Sequence, residues 1–226
     1  MRSIVVCLLA LTCTHALADV SFDSDVPTDL QAQIRGDLDM VSSLQGTTGS
    51  ATFQNIFQSP SLDGTSLKNF FNQRITAFGM DECGGGGSVA ACVIPWNSTS
   101  KMWVTPNYVK FNAPQLFRIS IIFHESRHTE SNNGFFGHVD CPVPYKDANG
   151  RDIVGIISGR PMAGLPACDN KINGAYGLQA VLLKNIEHAC TNCTEKVRQD
   201  GQLFGNDTIN RISDLPSRKV LTDDLQ

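Results

Sequence analysis

The 226-residue sequence contains His124-Glu125-Ser126-Arg127-His128, an intact HExxH pentapeptide. On an α-helix, residues four apart face the same side, so both imidazoles reach one ion. A zinc ion held this way keeps Zn–N bonds of about 2.0–2.1 Å and sits beside the helix. Glu125 follows the first histidine. A carboxylate there takes a proton from a zinc-activated water and returns it to a leaving amine, while the ion polarises the scissile carbonyl. These residues suit hydrolysis of a peptide bond, with a protein or peptide as substrate.

A catalytic zinc ion takes three protein ligands and keeps one open position. His138 is the first candidate for the third, because His124, His128 and His138 crowd into fifteen residues of a chain with 5 histidines. Asp169 and Glu187 are the alternatives. Asp169 would otherwise orient a ligating histidine from behind, and Glu187 would be a solvated helix residue. Tyr176, one of 3 tyrosines, lies between glycines. It is either a donor to a developing oxyanion or a packing ring at a helix start. Arg127 should point away from the metal and pair with a carboxylate, Asp140 or Asp169.

The pentapeptide and the elements around it resemble the active helix of the zincin metallopeptidases. The resemblance covers the central third of the chain. It implies an upper part of sheet and helices above a cleft, with a smaller C-terminal part below. The branch stays open. Metzincins read HExxHxxGxxH, whereas nine residues separate His128 from His138 here. Aspzincins use a GTxDxxYG-like motif. Asp169 and Asn173-Gly174-Ala175-Tyr176-Gly177 are similar but spaced differently. Gluzincins take a later helix glutamate, for which Glu187 is the candidate. The string HExRHT, GHxxCP (Gly137 to Pro142), ACD (Ala167 to Asp169), GAYG (Gly174 to Gly177) and a CxxC end also resembles secreted bacterial-type HExRH proteins of unassigned activity. That likeness favours His138 and Asp169 as site residues.

The positioning elements follow from periodicity. Thr28-x-x-Gln31 reads as a capping box for a helix carrying Leu30, Ile34, Leu38 and Val41, stopped by Gly46. Residues 65–76 suit a second helix. Val89–Trp96 and Lys101–Lys110 read as strands of a small, mostly antiparallel sheet. The HExxH helix opens near Asn112, with Pro114 in its first turn. Residues 129–174 read as ordered loops with a short strand at Ile153–Ile157. A last helix covers Ala175 to Ala189, and the tail after Asp200 is polar without a clear period. The fold class expected is α+β, zincin-like: a small sheet packed with helices and an irregular disulfide-linked C-terminal part.

Composition bounds the rest. Net charge is −4, 41% of residues are hydrophobic and 18% are charged. No basic block is present to displace counterions from phosphate, so nucleic acid is not the expected partner. Residues 1–18 combine Arg2, an apolar run and Ala16-Leu17-Ala18, which reads as a signal peptide cleaved after Ala18. The chain is then secreted or periplasmic, with no membrane span left after removal of the signal. Residues 19–226 form one catalytic domain, with about 19–130 as the upper part and 131–226 as the lower. Six cysteines remain, and sequence proximity pairs Cys83 with Cys92, Cys141 with Cys168, and Cys190 with Cys193. Asn97, Asn192 and Asn206 head N-x-S/T sequons, available wherever the host glycosylates. Two other functions compete with a peptidase: a secreted binding protein that keeps the motif without catalysis, and a narrow zinc amidase acting on cell-wall peptide.

Overall fold

Thr28 opens the first helix, although not as its cap. The computed structural model describes residues 20–226 apart from 82, 85–88, 111 and 148. The expected signal peptide therefore lies outside the described residues. After a short strand β1 (Ser21–Phe22), helix α1 covers Thr28–Ser43. Pro27 occupies the cap position and supplies no side-chain acceptor. The capping box does not form; Gln31 instead donates its amide to the Val26 carbonyl at 2.9 Å. Gly46 does not stop the helix either, since α1 ends at Ser43 and Gly46 lies inside β2 (Gln45–Thr48). A Cβ on Gly46 would meet the Ala189 carbonyl at 2.5 Å, so glycine there permits close chain approach.

Helix α2 (Ala51–Phe57) and strand β3 (Ser61–Asp63) follow, both too short to show a period in the sequence. Strand β3 pairs antiparallel with β2. Helix α3 (Gly64–Asn72) starts where the Asp63 carboxylate accepts from the Thr65 and Ser66 amides. Strands β4 (Ala77–Met80), β5 (Ala91–Val93) and β6 (Lys101–Val104) complete a sheet of order β1-β4-β6-β5. The antiparallel expectation fails for most of this sheet. The β1–β4 and β4–β6 pairs are parallel, and only β5–β6 is antiparallel. The β1–β4 crossover runs through α1, α2 and α3, the β4–β6 crossover runs through β5, and strands this short hide their direction in sequence. The long strand expected at Lys101–Lys110 breaks at Thr105, and Pro106 opens the short helix α4 (Pro106–Lys110), because proline suits a first helical turn.

Helix α5 (Gln115–Arg127) carries the first four residues of the pentapeptide, with His128 as its C-cap, and begins after Pro114, not at Asn112. Leu116, Ile119, Ile122 and Phe123 are buried on its core side. The Phe123 ring lies 5.9 to 6.2 Å from Phe57, Phe70 and Phe71. This aromatic cluster fixes the rotation of α5 immediately before His124. A second constraint is the Arg118–Asp37 pair, a two-toothed contact of 2.7 and 2.9 Å that ties α5 to α1. Asp37 is fully buried there, and loss of one partner of such a pair typically costs about 3–5 kcal/mol.

A 3-10 segment at Ser131–Phe136 leads into the loops. Isolated bridges Lys146–Asp152 and Val154–Pro161 replace the strand expected at Ile153–Ile157. Cys141, Tyr145, Ile153, Met162 and Cys168 form a small core of their own. Helix α6 (Ala175–Ala189) packs against α5, and its bounds match the expected last helix. The tail is better ordered than its composition suggests: α7 (Glu195–Ile209) lies along α6, and α8 (Leu215–Asp224) follows. The architecture is mixed α/β with small sheets. Cys83–Cys92, Cys141–Cys168 and Cys190–Cys193 are bonded, which fits an oxidising environment. Among the described residues no helix is long and apolar enough to cross a membrane.

Candidate metal centre

Helix α5 brings His124 and His128 to one side, and the chain after the 3-10 segment returns His138 to meet them. The Nε2 atom of His124 is 3.2 Å from that of His138 and 3.3 Å from that of His128. One nitrogen from each of the three rings lies within 4.8 Å of the other two. Two nitrogens on a tetrahedral ion with bonds of about 2.0–2.1 Å stand roughly 3.3–3.4 Å apart. The spacing therefore suits a single small ion.

The opposite face of each ring decides the protonation. His124 Nδ1 faces Gln179 Oε1 at 3.2 Å, His128 Nδ1 the Phe135 carbonyl at 2.8 Å, and His138 Nδ1 the Asp169 carboxylate at 2.8 Å. The Gln179 orientation is set in turn, because its amide nitrogen donates to Ser120 Oγ at 2.9 Å and Ser120 donates to the Phe117 carbonyl at 2.7 Å. Each Nδ1 meets an acceptor and so carries the proton. In the neutral rings every Nε2 then points a lone pair into the same small space. Lone pairs this close repel unless a cation lies between them, so the donor set could hold a metal ion.

Electrostatics keep the His124 and His128 rings neutral. Burial, then the nearness of the His138 and His128 rings, holds His124 well below its usual basicity. Burial, followed by His138, lowers His128 to about 4. Glu125 is buried beside them, and burial raises its carboxyl to about 8 despite a hydrogen bond from the Val93 backbone. A dication nearby would pull that carboxyl back down. Uptake of a divalent ion near pH 7 should thus release about one proton from Glu125, and none from His124 or His128, which are already neutral. Affinity should rise about tenfold per pH unit between about 5 and 8, and drop more steeply below about 4 as His128 takes a proton. Competition titrations across pH check this; an affinity flat from pH 5 to 7 would contradict it.

Asp169 stands behind His138 rather than joining the three nitrogens. Its other oxygen accepts the Tyr176 amide at 2.8 Å. A Cβ on Gly174 would sit 2.3 Å from that oxygen, so glycine is required for the approach. The Tyr176 ring stacks on His138 at 4.6 Å and meets His124 edge-on at 4.4 Å. Its hydroxyl accepts from Arg211 Nη1 at 3.1 Å. Glu187 is elsewhere: it pairs with Lys184 one turn earlier on α6, with 10% of its side chain exposed, and is not the solvated residue expected. Arg127 pairs with Glu130 and not with Asp140 or Asp169, and it also donates to the Asn173 carbonyl at 3.0 Å. Cys190 is bonded to Cys193, as sequence proximity suggests. Met162 packs with Cys141 and Cys168.

No family model, characterised protein or solved structure matches the chain. Sequence reasoning missed three parts of the site. Gln179 had a signal, a polar amide between Leu178 and Ala180 on an apolar helix. The Phe135 carbonyl and Arg211 had none, because only the folded chain places them. Of the three sequons, Asn97 lies exposed in a turn. The Asn192 amide is tied to the Gln45 amide and the Ser43 carbonyl, and Asn206 accepts from Lys184.

Proposed function

We propose that the chain is a secreted, zinc-dependent metallopeptidase of zincin-like fold. The observation that carries the reading is the convergence of three Nε2 lone pairs with every Nδ1 committed to an acceptor, next to a buried glutamate in an HExxH helix. His124, His128 and His138 would hold the ion, and Asp169 and Gln179 keep two of those rings turned toward it. A neutral all-nitrogen set with an open position suits zinc. When bound, zinc supplies Lewis acidity to a water molecule and to the scissile carbonyl.

The remaining steps belong to the chain. Glu125 accepts a proton on its carboxylate from the attacking water and delivers it to the leaving nitrogen. Its burial excludes bulk water, which strengthens that exchange. The Tyr176 hydroxyl, on a ring fixed against two of the histidines, donates toward the oxygen that gains charge. Three disulfides suit a chain working outside the cell.

Digestion of a denatured protein such as casein, or of a peptide library, tests the reading. Cleavage should disappear after treatment with 1,10-phenanthroline and return when zinc is added back. Cleavage that continues in protein verified to be metal-free would overturn it, and so would failure of the zinc-loaded chain to cleave any peptide.

A further inference from the structure

Arg211 is a cation placed beside the histidines by a distant part of the chain. Its Nη1 donates to the Tyr176 hydroxyl at 3.1 Å, and its guanidinium carbon lies 4.8 Å from the centre of that ring. Its charge also reaches His124, whose basicity it lowers. The backbone holds it firmly. The Arg211 carbonyl accepts from the Asp169 amide at 2.9 Å, the Ser213 amide donates to the Asp169 carbonyl at 2.7 Å, and Asp169 bridges Ile212 in parallel. The residue that orients His138 and the residue that carries the cation are thus joined by one bridge.

The hydroxyl between them is directional. Its oxygen already accepts from Arg211, and among the described residues no group accepts its proton. Asp207 faces Arg211 only at 3.6 Å, and 19% of the Arg211 side chain stays open to solvent. A guanidinium and a metal ion in one site repel each other unless an anion lies between them. We propose that Arg211 and the Tyr176 hydroxyl form an oxyanion-binding wall of the metal centre, in which Arg211 both holds the hydroxyl and adds its own charge to the bound anion. The ligand is an oxygen carrying negative charge, either the oxyanion developing on an attacked amide or a substrate carboxylate. This inference rests on the metal-centre reading above.

Cobalt(II) loaded in place of zinc gives a visible spectrum that reports anion binding without any substrate. Inorganic phosphate and acetate are the probes, the first tetrahedral like an attacked amide and the second a carboxylate. Arg211→Met should weaken the better-bound probe by about tenfold or more, and Tyr176→Phe by about fivefold, the scale of charged and neutral hydrogen bonds. Cobalt affinity should stay level or rise in Arg211→Met, because a repelling charge has gone; a merely structural arginine would lower it. Arg211→Lys should restore part of the anion binding. Tyr176→Phe, which removes only the hydroxyl, carries the test by itself if Arg211→Met does not fold. If both variants take up cobalt and hold the anions as tightly as the parent, the inference is overturned and the metal centre stands. If the parent chain takes up no metal at all, both are overturned.

Discussion

Replacing Glu125 by glutamine should lower peptide hydrolysis by about 10²–10⁴-fold, the usual contribution of a positioned general base. The three histidines should keep the ion, because glutamine has nearly the same size and the ligands are untouched. The physical basis is the environment of the carboxyl. It is buried in the α5 helix, and burial raises it to about 8 despite the Val93 backbone hydrogen bond. An amide in that place neither accepts the proton of an attacking water nor returns it to the leaving nitrogen. A second effect should accompany the first: without an ionisable group there, metal uptake near pH 7 should no longer release a proton. Cleavage rates and metal content measured on the same preparations check both. Unchanged cleavage in the variant would remove Glu125 from the mechanism.

His138→Ala should cost far more metal affinity than Asp169→Ala. Binding energies of about 10–16 kcal/mol for four-ligand zinc sites put one ligand at roughly 3–4 kcal/mol, or about 10²–10³-fold in affinity. Asp169 acts one bond further out, holding His138 Nδ1 at 2.8 Å, and such partners are worth about 10–100-fold. Asp169→Asn should do less harm than Asp169→Ala, since the amide oxygen still accepts from Nδ1. Competition with a chromophoric chelator ranks the variants. The reverse order, with metal kept by His138→Ala and lost by Asp169→Ala, would make Asp169 the ligand.

The parts of this arrangement that were readable in the sequence are those set by short-range rules. Helix α6 was legible to its ends because Leu178, Val181, Leu182 and Ile186 repeat at helical spacing between Gly174 and Cys190. Helix α7 was not, because its buried side includes Gly201 and Gly205, which look like helix breakers. A Cβ on Gly201 would lie 2.8 Å from the Leu183 carbonyl, so these glycines admit α6 rather than end α7. The sheet was visible as strands, but its direction was not. Strands of three or four residues carry too little pattern to distinguish parallel from antiparallel pairing.

The centre divides in the same way. His124, Glu125 and His128 are fixed by helix geometry alone. His138 entered through residue type and proximity, and its distance from His128 fits no simple branch because the chain first makes a 3-10 segment with left-handed residues at Gly134 and Phe135. Asp169, Gln179 and Arg211 are 31, 55 and 35 positions from the side chains they bond. Only tertiary packing places them.

The most direct measurement is the metal content of the purified chain after loading with zinc and desalting. Three converging Nε2 lone pairs predict about one ion per chain, and close to none in His124→Ala. A parent chain that keeps no zinc would contradict the metal centre, and with it the hydrolytic function assigned to it.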